Sequence, residues 1–301
     1  MRFLSLGECM VELSALPQAG HWQQGIAGDT LNTAWYARMQ LPADWTVGYA
    51  TVLGQDRLSD EMLRFIESAG LESTAIWRHP DRMPGLYMIS LSEGERSFSY
   101  WRDHSAARTL ADDPARLHVA LRSAEVVYVS GITMAILAPS ARATMLSALA
   151  AMRALGKTVV SDPNLRPRLW PSEAEMCAQI MALAAVSDIV LPSHEDEARH
   201  FGDATPEATA ARYLSAGVRE VVVKNGGGPM VYATRGAAVT AVPAMERRRP
   251  VDTTGAGDSF NGGYLAARLC GAEIPEAIAA GHALALRVIG HHGALMPMPS
   301  R

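Results

Sequence analysis

Short apolar runs that end in turn residues alternate along this chain with longer amphipathic segments, and this alternation restricts the fold more than any other feature. The pattern is typical of parallel strands connected by helices. Strands are predicted at residues 3–7, 47–52, 126–130, 158–162, 189–191 and 221–224. Helices are predicted at residues 30–39, 58–69, 140–155, 173–185, 206–216, 259–269 and 275–289. We therefore expect an α/β protein with a doubly wound, mostly parallel sheet flanked by helices, which binds ligands at the carboxyl ends of its strands.

Two segments interrupt this alternation. Residues 10–24 and 76–102 contain few helix formers and show period-two patterns, for example at residues 86–91 and 97–101. Such patterns predict extra strands instead of crossover helices. Because 301 residues lie near the upper limit for one domain, we expect a single domain over residues 1–301 with these strands inserted in it.

Composition and charge indicate an enzyme with small-molecule partners. The net charge of −4 argues against a general nucleic-acid or membrane-surface partner, since both would favour a basic face. Cys9, Cys177 and Cys270 are too widely spaced for a disulfide framework or a zinc site. No apolar run reaches the roughly 18 to 20 residues of a membrane span, and the N-terminal run is too short for a signal peptide. We therefore expect a cytoplasmic protein.

Residues 251–260, Val-Asp-Thr-Thr-Gly-Ala-Gly-Asp-Ser-Phe, place two glycines and a carboxylate where a loop leads into a predicted helix. Successive amides of such a turn and the positive end of the helix form a site for a phosphate. Asp258 would repel the phosphate, so its expected task is to accept a proton from a hydroxyl that attacks the phosphorus. A Gly-x-Gly sequence by itself also occurs in ordinary turns.

A second polar segment, residues 27–34, reads Ala-Gly-Asp-Thr-Leu-Asn-Thr-Ala at the start of a predicted helix. Gly28, Asp29 and Asn32 could supply the donors and acceptors that a polyol needs, since each buried unpaired hydroxyl partner would cost about 1–3 kcal/mol. The alternative is a plain helix cap formed by Asp29 or Thr30.

Two arginines follow predicted strands. Arg102 closes the motif Tyr100-Trp101-Arg102, and Arg166 lies in residues 162–167, Asp-Pro-Asn-Leu-Arg-Pro. Because a guanidinium binds a carboxylate through a planar fork, their convergence would indicate an acidic acceptor and not a neutral hexose. The alternatives are a solvated strand arginine for Arg102 and a helix cap or an ion pair for Arg166.

Residues 224–229, Lys-Asn-Gly-Gly-Gly-Pro, end a predicted strand with three glycines that would let the backbone pass close to a ligand. The alternative is a tight turn between strands. Further on, His291 and His292 are adjacent, and adjacent side chains rarely converge on one metal ion.

Together these motifs resemble the ribokinase-like, phosphofructokinase-B-type carbohydrate kinases. The resemblance implies that Asp258 is the catalytic base. It implies an anion hole formed by Gly255, Ala256 and Gly257. It also implies that the strands of residues 10–24 and 76–102 form a small lid over the sugar site. Lids of this family often pair between subunits, so we expect a homo-oligomer, a dimer or higher. The alternative is that the apolar face of the lid strands is buried within the monomer.

The substrate site follows from the same resemblance, and its motifs are similar to those of family members that phosphorylate 2-keto-3-deoxygluconate. The residues implied at the sugar hydroxyls are Gly28, Asp29, Thr30, Leu31 and Asn32, with Ala27 in place of the family's first glycine. The residues implied at the keto acid are Tyr87, Tyr100, Arg102 and Arg166, together with Asp258. Tyr87 is equally compatible with simple strand packing.

The resemblance also implies an ATP site. The residues that would hold the nucleotide are Asn164, Arg166, Ser193, Lys224, Gly226 and Gly228 with Gly255, Ala256 and Gly257. Residues 291–295 would close over the adenine. Phosphoryl transfer needs Mg²⁺, but the family's Asn-x-x-Glu segment is Ser-His-Glu-Asp at residues 193–196, so Asp196 is the expected carboxylate and Glu195 or Glu197 are alternatives. A potassium-type ion is expected near Asp252 and Thr254.

The predicted reaction is the transfer of the ATP γ-phosphate to the 6-hydroxyl of 2-keto-3-deoxygluconate. Another sugar kinase of the same fold remains an alternative, with fructose, ribose or 2-keto-3-deoxygalactonate as the acceptor. A more distant alternative is a sensor that binds a sugar without phosphorylating it, which would need a damaged anion hole or a missing base.

Overall fold

We analysed a computed structural model, which describes residues 1–16, 18, 20–92 and 95–299. The β-strands are β1 Arg2–Leu6, β2 Met10–Ala15, β3 Trp22–Ala27, β4 Thr46–Leu53, β5 Ile76–Arg78, β6 Gly85–Ser92, β7 Glu95–Trp101, β8 Val126–Ser130, β9 Thr158–Asp162, β10 Ile189–Val190, β11 Glu220–Val223, β12 Val231–Thr234 and β13 Thr240–Ala241. The α-helices are α1 Asp29–Gln40, α2 Arg57–Ser68, α3 Pro114–Arg122, α4 Gly131–Ile136, α5 Pro139–Ala154, α6 Glu173–Ala185, α7 His194–Phe201, α8 Pro206–Ser215, α9 Ala256–Leu269 and α10 Ile274–Val288.

Nine strands form one sheet in the order β13-β12-β11-β10-β9-β8-β1-β4-β5. All pairs are parallel except β11 with β12 and β12 with β13. The chain proceeds from β1 to β4 and β5 on one side and later returns to β8 on the other side of β1. This reversal creates a crevice at the carboxyl ends of β1 and β8, where doubly wound proteins bind ligands. The predicted fold class is confirmed.

The main sheet is buried on both faces, so its strands consist largely of apolar residues. Successive residues of β1 point to opposite faces, and Phe3 packs in one hydrophobic cluster while Leu4 packs in the other. The first cluster includes α1, α2, α9 and α10, and the second includes α3, α5 and α6. Two helix layers therefore hold the sheet and fix the positions of its strand ends.

The lid is a separate four-stranded sheet in the order β3-β2-β6-β7. β2 pairs antiparallel with β3, β6 pairs antiparallel with β7, and β2 and β6 are parallel. The predicted extra strands are thus present, with one correction. Ile76–Arg78 does not join the lid: β5 pairs with β4 at the edge of the main sheet, because the chain completes the crossover through α2 before it enters the lid.

Several short elements were not predicted from the sequence. They are α3, α4, α7, β12 and β13, and β3 also extends to Ala27, beyond the expected boundary at residue 24. The start of α3 had a readable signal, because Asp113 caps the Arg116 amide and Pro114 opens the helix. Within the described parts of the chain, no helix combines the length and apolar character that crossing a membrane requires.

Candidate active site

A cleft of about 690 Å³ lies between the lid and the carboxyl ends of the main sheet. Most of the residues predicted for the site line this cleft. They are Gly28, Asp29, Asn32, Tyr87, Tyr100, Arg102, Asn164, Arg166, Ser193, Asp196, Lys224, Gly255, Ala256, Gly257 and Asp258. Segments more than two hundred residues apart in sequence therefore meet at one place, as expected for a crevice at a strand crossover.

Asp258 lies in the first turn of α9, where its side chain is partly buried and lines the cleft. Its Oδ2 accepts a hydrogen bond of 2.8 Å from Asn32 Nδ2 on α1. Burial, with the nearby charges of Asp29 and Asp162, raises the pKa of Asp258 to about 7, against the opposing effects of Asn32 and Lys224. A carboxyl group that titrates near neutral pH is suited to accept a proton from a substrate hydroxyl.

Helices α1 and α9 pack closely enough to bring Asn32 to Asp258. At Gly262 of α9, a Cβ atom would lie 2.6 Å from Tyr36 Cβ and 2.9 Å from the Thr33 carbonyl oxygen of α1. A side chain at residue 262 would therefore separate the two helices. This glycine contributes to the site without lining it.

The loop before α9 has a conformation that requires glycine. Gly255 has φ 74°, and a Cβ there would lie 2.8 Å from the carbonyl oxygen of Ala294. Asp252 ties the loop together, because its Oδ1 accepts from the Thr254 amide at 2.9 Å and its Oδ2 accepts from the Gly293 amide at 2.8 Å. The end of the chain is thereby attached to the loop.

The anion hole of Gly255, Ala256 and Gly257 stays a prediction, and the amides of this loop differ in their hydrogen bonds. The Ala256 amide donates to the carbonyl of Thr253 at 3.2 Å and is therefore used within the turn. Gly257 and Asp258 lie in the first turn of α9, where amides have no intrahelical acceptor. The amides best placed for an anion at this helix end are consequently those of Gly257 and Asp258.

The bottom of the cleft consists of Asp258 and, beside it, a buried polar network of Asp162, Lys224 and Asn261. We call these four residues the floor. Lys224 Nζ donates to Asp162 Oδ2 at 2.7 Å and to Asn261 Oδ1 at 3.2 Å. Asn261 Nδ2 also donates to Asp162 Oδ2 at 2.6 Å. The ammonium predicted to neutralise phosphate is thus already paired with a carboxylate. Sequence reasoning missed Asn261, although its position three residues after Asp258 places both on one helix face.

Asp29 and Asn164 meet at the start of α1. Asn164 Nδ2 donates to Asp29 Oδ2 at 2.9 Å, and Asn164 has the left-handed φ of 36°. Burial raises the pKa of Asp29, opposed by hydrogen bonds from Ser130 and Asn164. Asn164, predicted at the nucleotide, therefore contacts a residue that was predicted at the sugar.

Some predicted residues lie outside the cleft. Thr30 is fully buried, and its Oγ1 shares a 3.1 Å hydrogen bond with the Tyr49 hydroxyl, while Leu31 packs in the core. Both side chains hold α1 against the sheet, because the first turn of this helix faces the core as well as the cleft. Gly226 and Gly228 line a different cavity, of about 110 Å³, together with His282.

The two arginines of the cleft differ in their surroundings. Arg102 is buried and forms an ion pair with Glu8, a cleft residue that sequence reasoning missed although it follows a buried strand. Arg166 is half exposed, donates to the Leu165 carbonyl at 2.7 Å, and lies 3.8 Å from Asp196. We expected two guanidinium groups that could both bind a ligand. Arg102 is instead buried in a close ion pair with Glu8, whereas Arg166 is half exposed with a longer ion pair to Asp196.

The tyrosines of the lid also differ. Tyr87 donates its hydroxyl to Glu12, and burial raises the pKa of Tyr87. Tyr100 is 50% exposed at the cleft, with its ring 5.9 Å from that of Tyr87. Tyr87 is thus held by the lid itself, whereas the Tyr100 ring is open to a ligand.

The acidic residues at the start of α7 fall into two groups. Asp196 lines the cleft, and burial raises its pKa against the opposing charge of Arg166. Glu197 points into the protein and binds Arg212 at 2.7 Å and the Tyr213 hydroxyl at 2.9 Å. Glu197 is therefore excluded as a cleft carboxylate. Among the residues that the structure describes, no group of three or more His, Cys, Asp or Glu side chains could hold a metal ion.

A doubly wound sheet with a strand lid, and between them a partly buried carboxylate at a helix N-terminus, is the arrangement that the sequence resemblance implied for a carbohydrate kinase of the ribokinase fold. The chain belongs to the pfkB family of carbohydrate kinases, because the model of that family matches residues 2–301. It is 39% identical over 298 residues to the 2-dehydro-3-deoxygluconokinase of Escherichia coli (strain K12), covering 97% of this chain and 96% of that protein.

Solved structures agree with this assignment. The PfkB protein from Polaromonas sp. JS666 is 30% identical, with a TM-score of 0.83 over 96% of this chain and 95% of that one. The fructokinase from Vibrio cholerae O395 in its fructose, ADP and calcium ion bound form has a TM-score of 0.83 at 23% identity, covering 99% of this chain and 96% of that one. At 23% identity, the similarity to the fructokinase shows a shared fold and nothing more.

Proposed function

We propose that this protein is an ATP-dependent kinase that phosphorylates the 6-hydroxyl of 2-keto-3-deoxygluconate, giving 2-keto-3-deoxy-6-phosphogluconate and ADP. The observation that carries the proposal is the position of Asp258, a partly buried carboxylate with a pKa of about 7 at the N-terminus of α9, in a cleft that also contains Arg166. The name of the Escherichia coli relative, 2-dehydro-3-deoxygluconokinase, supports the same acceptor.

Asp258 acts as the general base of the proposed reaction. It accepts the proton of the 6-hydroxyl as that oxygen attacks the γ-phosphorus. Asn32 donates to Asp258 Oδ2 and so fixes the direction of the carboxylate. With a pKa of about 7, the base is partly ionised at neutral pH, so it can accept the proton of the hydroxyl and release it after turnover.

The start of α9 binds the transferring phosphoryl group. The amides of the first turn and the helix dipole stabilise the charge that spreads over its oxygens. Lys224 contributes a positive charge that Asp162 holds in place. The predicted nucleotide residues Ser193, Asn164 and Arg166 line the same cleft, whereas Gly226 and Gly228 line a separate cavity, and their contact with the nucleotide stays a prediction.

The residues present fit a magnesium ion that is bound mainly through phosphate and water. Asp196 lines the cleft and offers carboxylate oxygens, the ligands that Mg²⁺ prefers. When bound, the ion would neutralise phosphate charge during transfer. Asp196 remains our predicted carboxylate for it, and a potassium-type ion near Asp252 and Thr254 remains an expectation.

The acceptor lies beneath the lid. Arg166 binds the carboxylate of the acceptor, since this guanidinium is half exposed and lies 3.8 Å from the carboxylate of Asp196. Tyr100 covers the carbon chain, and Arg102 and Tyr87 complete the wall that faces the sugar. Closure of the lid would exclude water, which otherwise competes with the 6-hydroxyl for ATP.

The test is ADP release from Mg-ATP with 2-keto-3-deoxygluconate, run beside fructose, ribose and 2-keto-3-deoxygalactonate at equal concentration. We expect strong preference for 2-keto-3-deoxygluconate. Preference for a neutral sugar would leave the kinase assignment in place and contradict the proposed acceptor. Absence of ADP release with every acceptor, in a protein that binds ATP, would favour a sensor.

We further propose that the protein is a homodimer that pairs through its lids. Trp101 lies on the side of β7 opposite Tyr100 and is 58% exposed, and Trp22 of β3 is also exposed. Large exposed aromatic side chains on a small sheet favour burial against a partner. Light scattering after size exclusion should give twice the mass of the chain. Replacing Trp101 by Lys should then yield monomers, and a monomeric wild type would contradict the proposal.

A further inference from the structure

We propose that Tyr36 of α1 is a positioning residue for phosphoryl transfer. It acts through residues 291–298, which follow α10 and which we call the C-terminal segment, and it holds this segment against the loop of Gly255. This inference deepens the proposed function, since it rests on the start of α9 as the site of the transferring phosphoryl group. It does not depend on which acceptor the cleft binds.

The first observation is that the Tyr36 hydroxyl joins α1 to the C-terminal segment. Tyr36 is fully buried, and its hydroxyl donates to the Ala294 carbonyl at 2.7 Å and accepts from the Met296 amide at 3.0 Å. Trp35 adds a third bond, because its Nε1 donates to the Met296 carbonyl at 2.9 Å. Burial raises the pKa of Tyr36 to about 12, so the hydroxyl keeps the proton that it donates to Ala294. The C-terminal segment is neither helix nor strand, so these bonds from α1 fix its path.

The second observation is that the C-terminal segment forms the back of the loop before α9. Gly255 has φ 74°, and a Cβ there would lie 2.8 Å from the carbonyl oxygen of Ala294 and 3.1 Å from its Cα. The Gly293 amide also donates to Asp252 of this loop at 2.8 Å. Ala294 thus contacts Tyr36 on one side and Gly255 on the other, and it lines the cleft. A shift of Ala294 would therefore displace the loop that leads into the first turn of α9.

The third observation is that Tyr36 lies on the same helix as Asn32, one turn further on. Asn32 holds the Asp258 carboxylate at 2.8 Å, and α9 packs against Tyr36 at Gly262, where a Cβ would lie 2.6 Å from Tyr36 Cβ. One helix thus fixes both the proposed base and the loop in front of it. A displacement of about 1 Å can lower a rate by about a hundredfold, even when the change lies far from the reacting atoms. Tyr36 therefore affects the rate of transfer although its side chain is fully buried.

The experiment compares Tyr36→Phe with the wild type, using the acceptor that the wild type prefers. This change keeps the ring and removes the hydroxyl, so the Ala294 carbonyl and the Met296 amide lose this partner. The matched control is Tyr264→Phe, since Tyr264 of α9 is also fully buried and donates its hydroxyl to Glu220, and neither of these two residues lines the cleft. Melting temperature reports whether each variant is folded.

We expect kcat to fall about tenfold or more in Tyr36→Phe, because the loop loses its support while the reacting groups remain. The KM for the acceptor should stay within about threefold of the wild type, since Asp29 and Asn32 remain in the first turn of α1. Tyr264→Phe should stay within about threefold of the wild type in both constants. A kcat within about threefold of the wild type in folded Tyr36→Phe would overturn the proposal. So would a fall in kcat that Tyr264→Phe reproduces.

A second measurement follows the C-terminal segment itself. Amide hydrogen exchange in residues 291–298 should quicken about tenfold or more in Tyr36→Phe and keep its wild-type rate in Tyr264→Phe. Trp35→Phe loses only the bond to the Met296 carbonyl, so it should show a smaller increase and a smaller fall in kcat, and it replaces Tyr36→Phe if that variant does not fold. Faster exchange in either variant without a fall in kcat would overturn the proposal. A fall in kcat with unchanged exchange would also overturn it, because Tyr36 would then act by another route.

A third measurement separates the phosphoryl site from the acceptor. Mg-ADP with aluminium fluoride imitates the transferring phosphoryl group, so it reports contacts made only during transfer. Its inhibition constant should rise about tenfold in Tyr36→Phe, whereas the dissociation constant of ADP alone should stay within about threefold of the wild type. An equal change in both constants would overturn the role of Tyr36 in transfer. A wild type that phosphorylates only a neutral sugar would refute the proposed acceptor, while the ratios of variant to wild type would still test Tyr36.

Discussion

The floor and the lid side of the cleft are built differently. In the floor, Asp162, Lys224 and Asn261 are linked by hydrogen bonds of 2.6–3.2 Å, and Asp258 is held by Asn32 at 2.8 Å. On the lid side, Tyr100 is half exposed, and the half-exposed Arg166 forms a longer ion pair of 3.8 Å with Asp196. We infer that, in the proposed reaction, the groups for phosphoryl transfer are preorganised, whereas substrate recognition is completed by closure of the lid.

The largest expected effect comes from the floor. Asp258→Asn should lower kcat by about a thousandfold or more, because general-base catalysis typically contributes about 10²–10⁴. Nucleotide and acceptor binding should persist, since Asn preserves the shape. Steady-state kinetics and binding of both substrates test this, with the exposed Asp112→Asn as a control. Near-normal turnover would show that the proposed base is wrong.

The lid side should show a selective effect. Arg166→Ala should lower kcat/KM for the keto acid by about ten- to a hundredfold, the usual consequence of losing a charge-assisted contact. Activity on a neutral sugar should change little, because no carboxylate is lost. The ratio of the two kcat/KM values is the readout, with the exposed Arg64→Ala of α2 as a control. An equal loss on both acceptors would mean that Arg166 serves the nucleotide instead.

The role of Asn32, which donates a hydrogen bond to Asp258, can be tested by the pH dependence of the reaction. Asp258 must be ionised to act as a base, so kcat/KM should rise with pH through about 7. Asn32→Ala removes a hydrogen bond that favours the ionised form, so the inflection should move to higher pH, with about tenfold lower activity at neutral pH. A profile that keeps its wild-type inflection in Asn32→Ala would separate Asn32 from the base.

The smallest expected effect is on stability. The folded pKa of Asp258 is raised from 3.8 to about 7, so the folded state binds more protons than the unfolded state between these values. The contribution of the protonated Asp258 carboxyl to the stability of the fold is therefore present below about pH 3.8 and is lost as the pH rises to about 7. At pH 8, Asp258→Asn should unfold at a higher temperature than the wild type, with a free energy of unfolding larger by about 1–3 kcal/mol. At pH 4, the two proteins should not differ in this way. Equal melting curves at pH 8 would contradict the raised pKa.

Much of the fold could be predicted because apolar periodicity marks strands and helices independently of their partners. The long helices were predicted within a few residues of their bounds, for example α6 Glu173–Ala185. The short α4 and the two-residue β13 carry too few periods to be recognised. The edge strand β5 was assigned to the lid because a three-residue segment does not specify its neighbour.

Many residues of the candidate site could be predicted from the sequence, but the side chains with which they pair could not. The loop at 251–260 indicated Asp258, and the arginines indicated an acidic ligand. That Arg102 pairs with Glu8, Lys224 with Asp162 and Asn164 with Asp29 depends on which strand ends lie side by side. A single sequence contains no direct record of those contacts, which explains why two predicted cations proved to be compensated.

The most direct test of the account is nuclear magnetic resonance of the product formed from Mg-ATP and 2-keto-3-deoxygluconate. We predict one phosphomonoester whose phosphorus couples to the C6 methylene, formed in equal amount with ADP. Formation of ADP without a phosphoester, or a phosphoester at another carbon, would contradict the proposed transfer from ATP to the 6-hydroxyl.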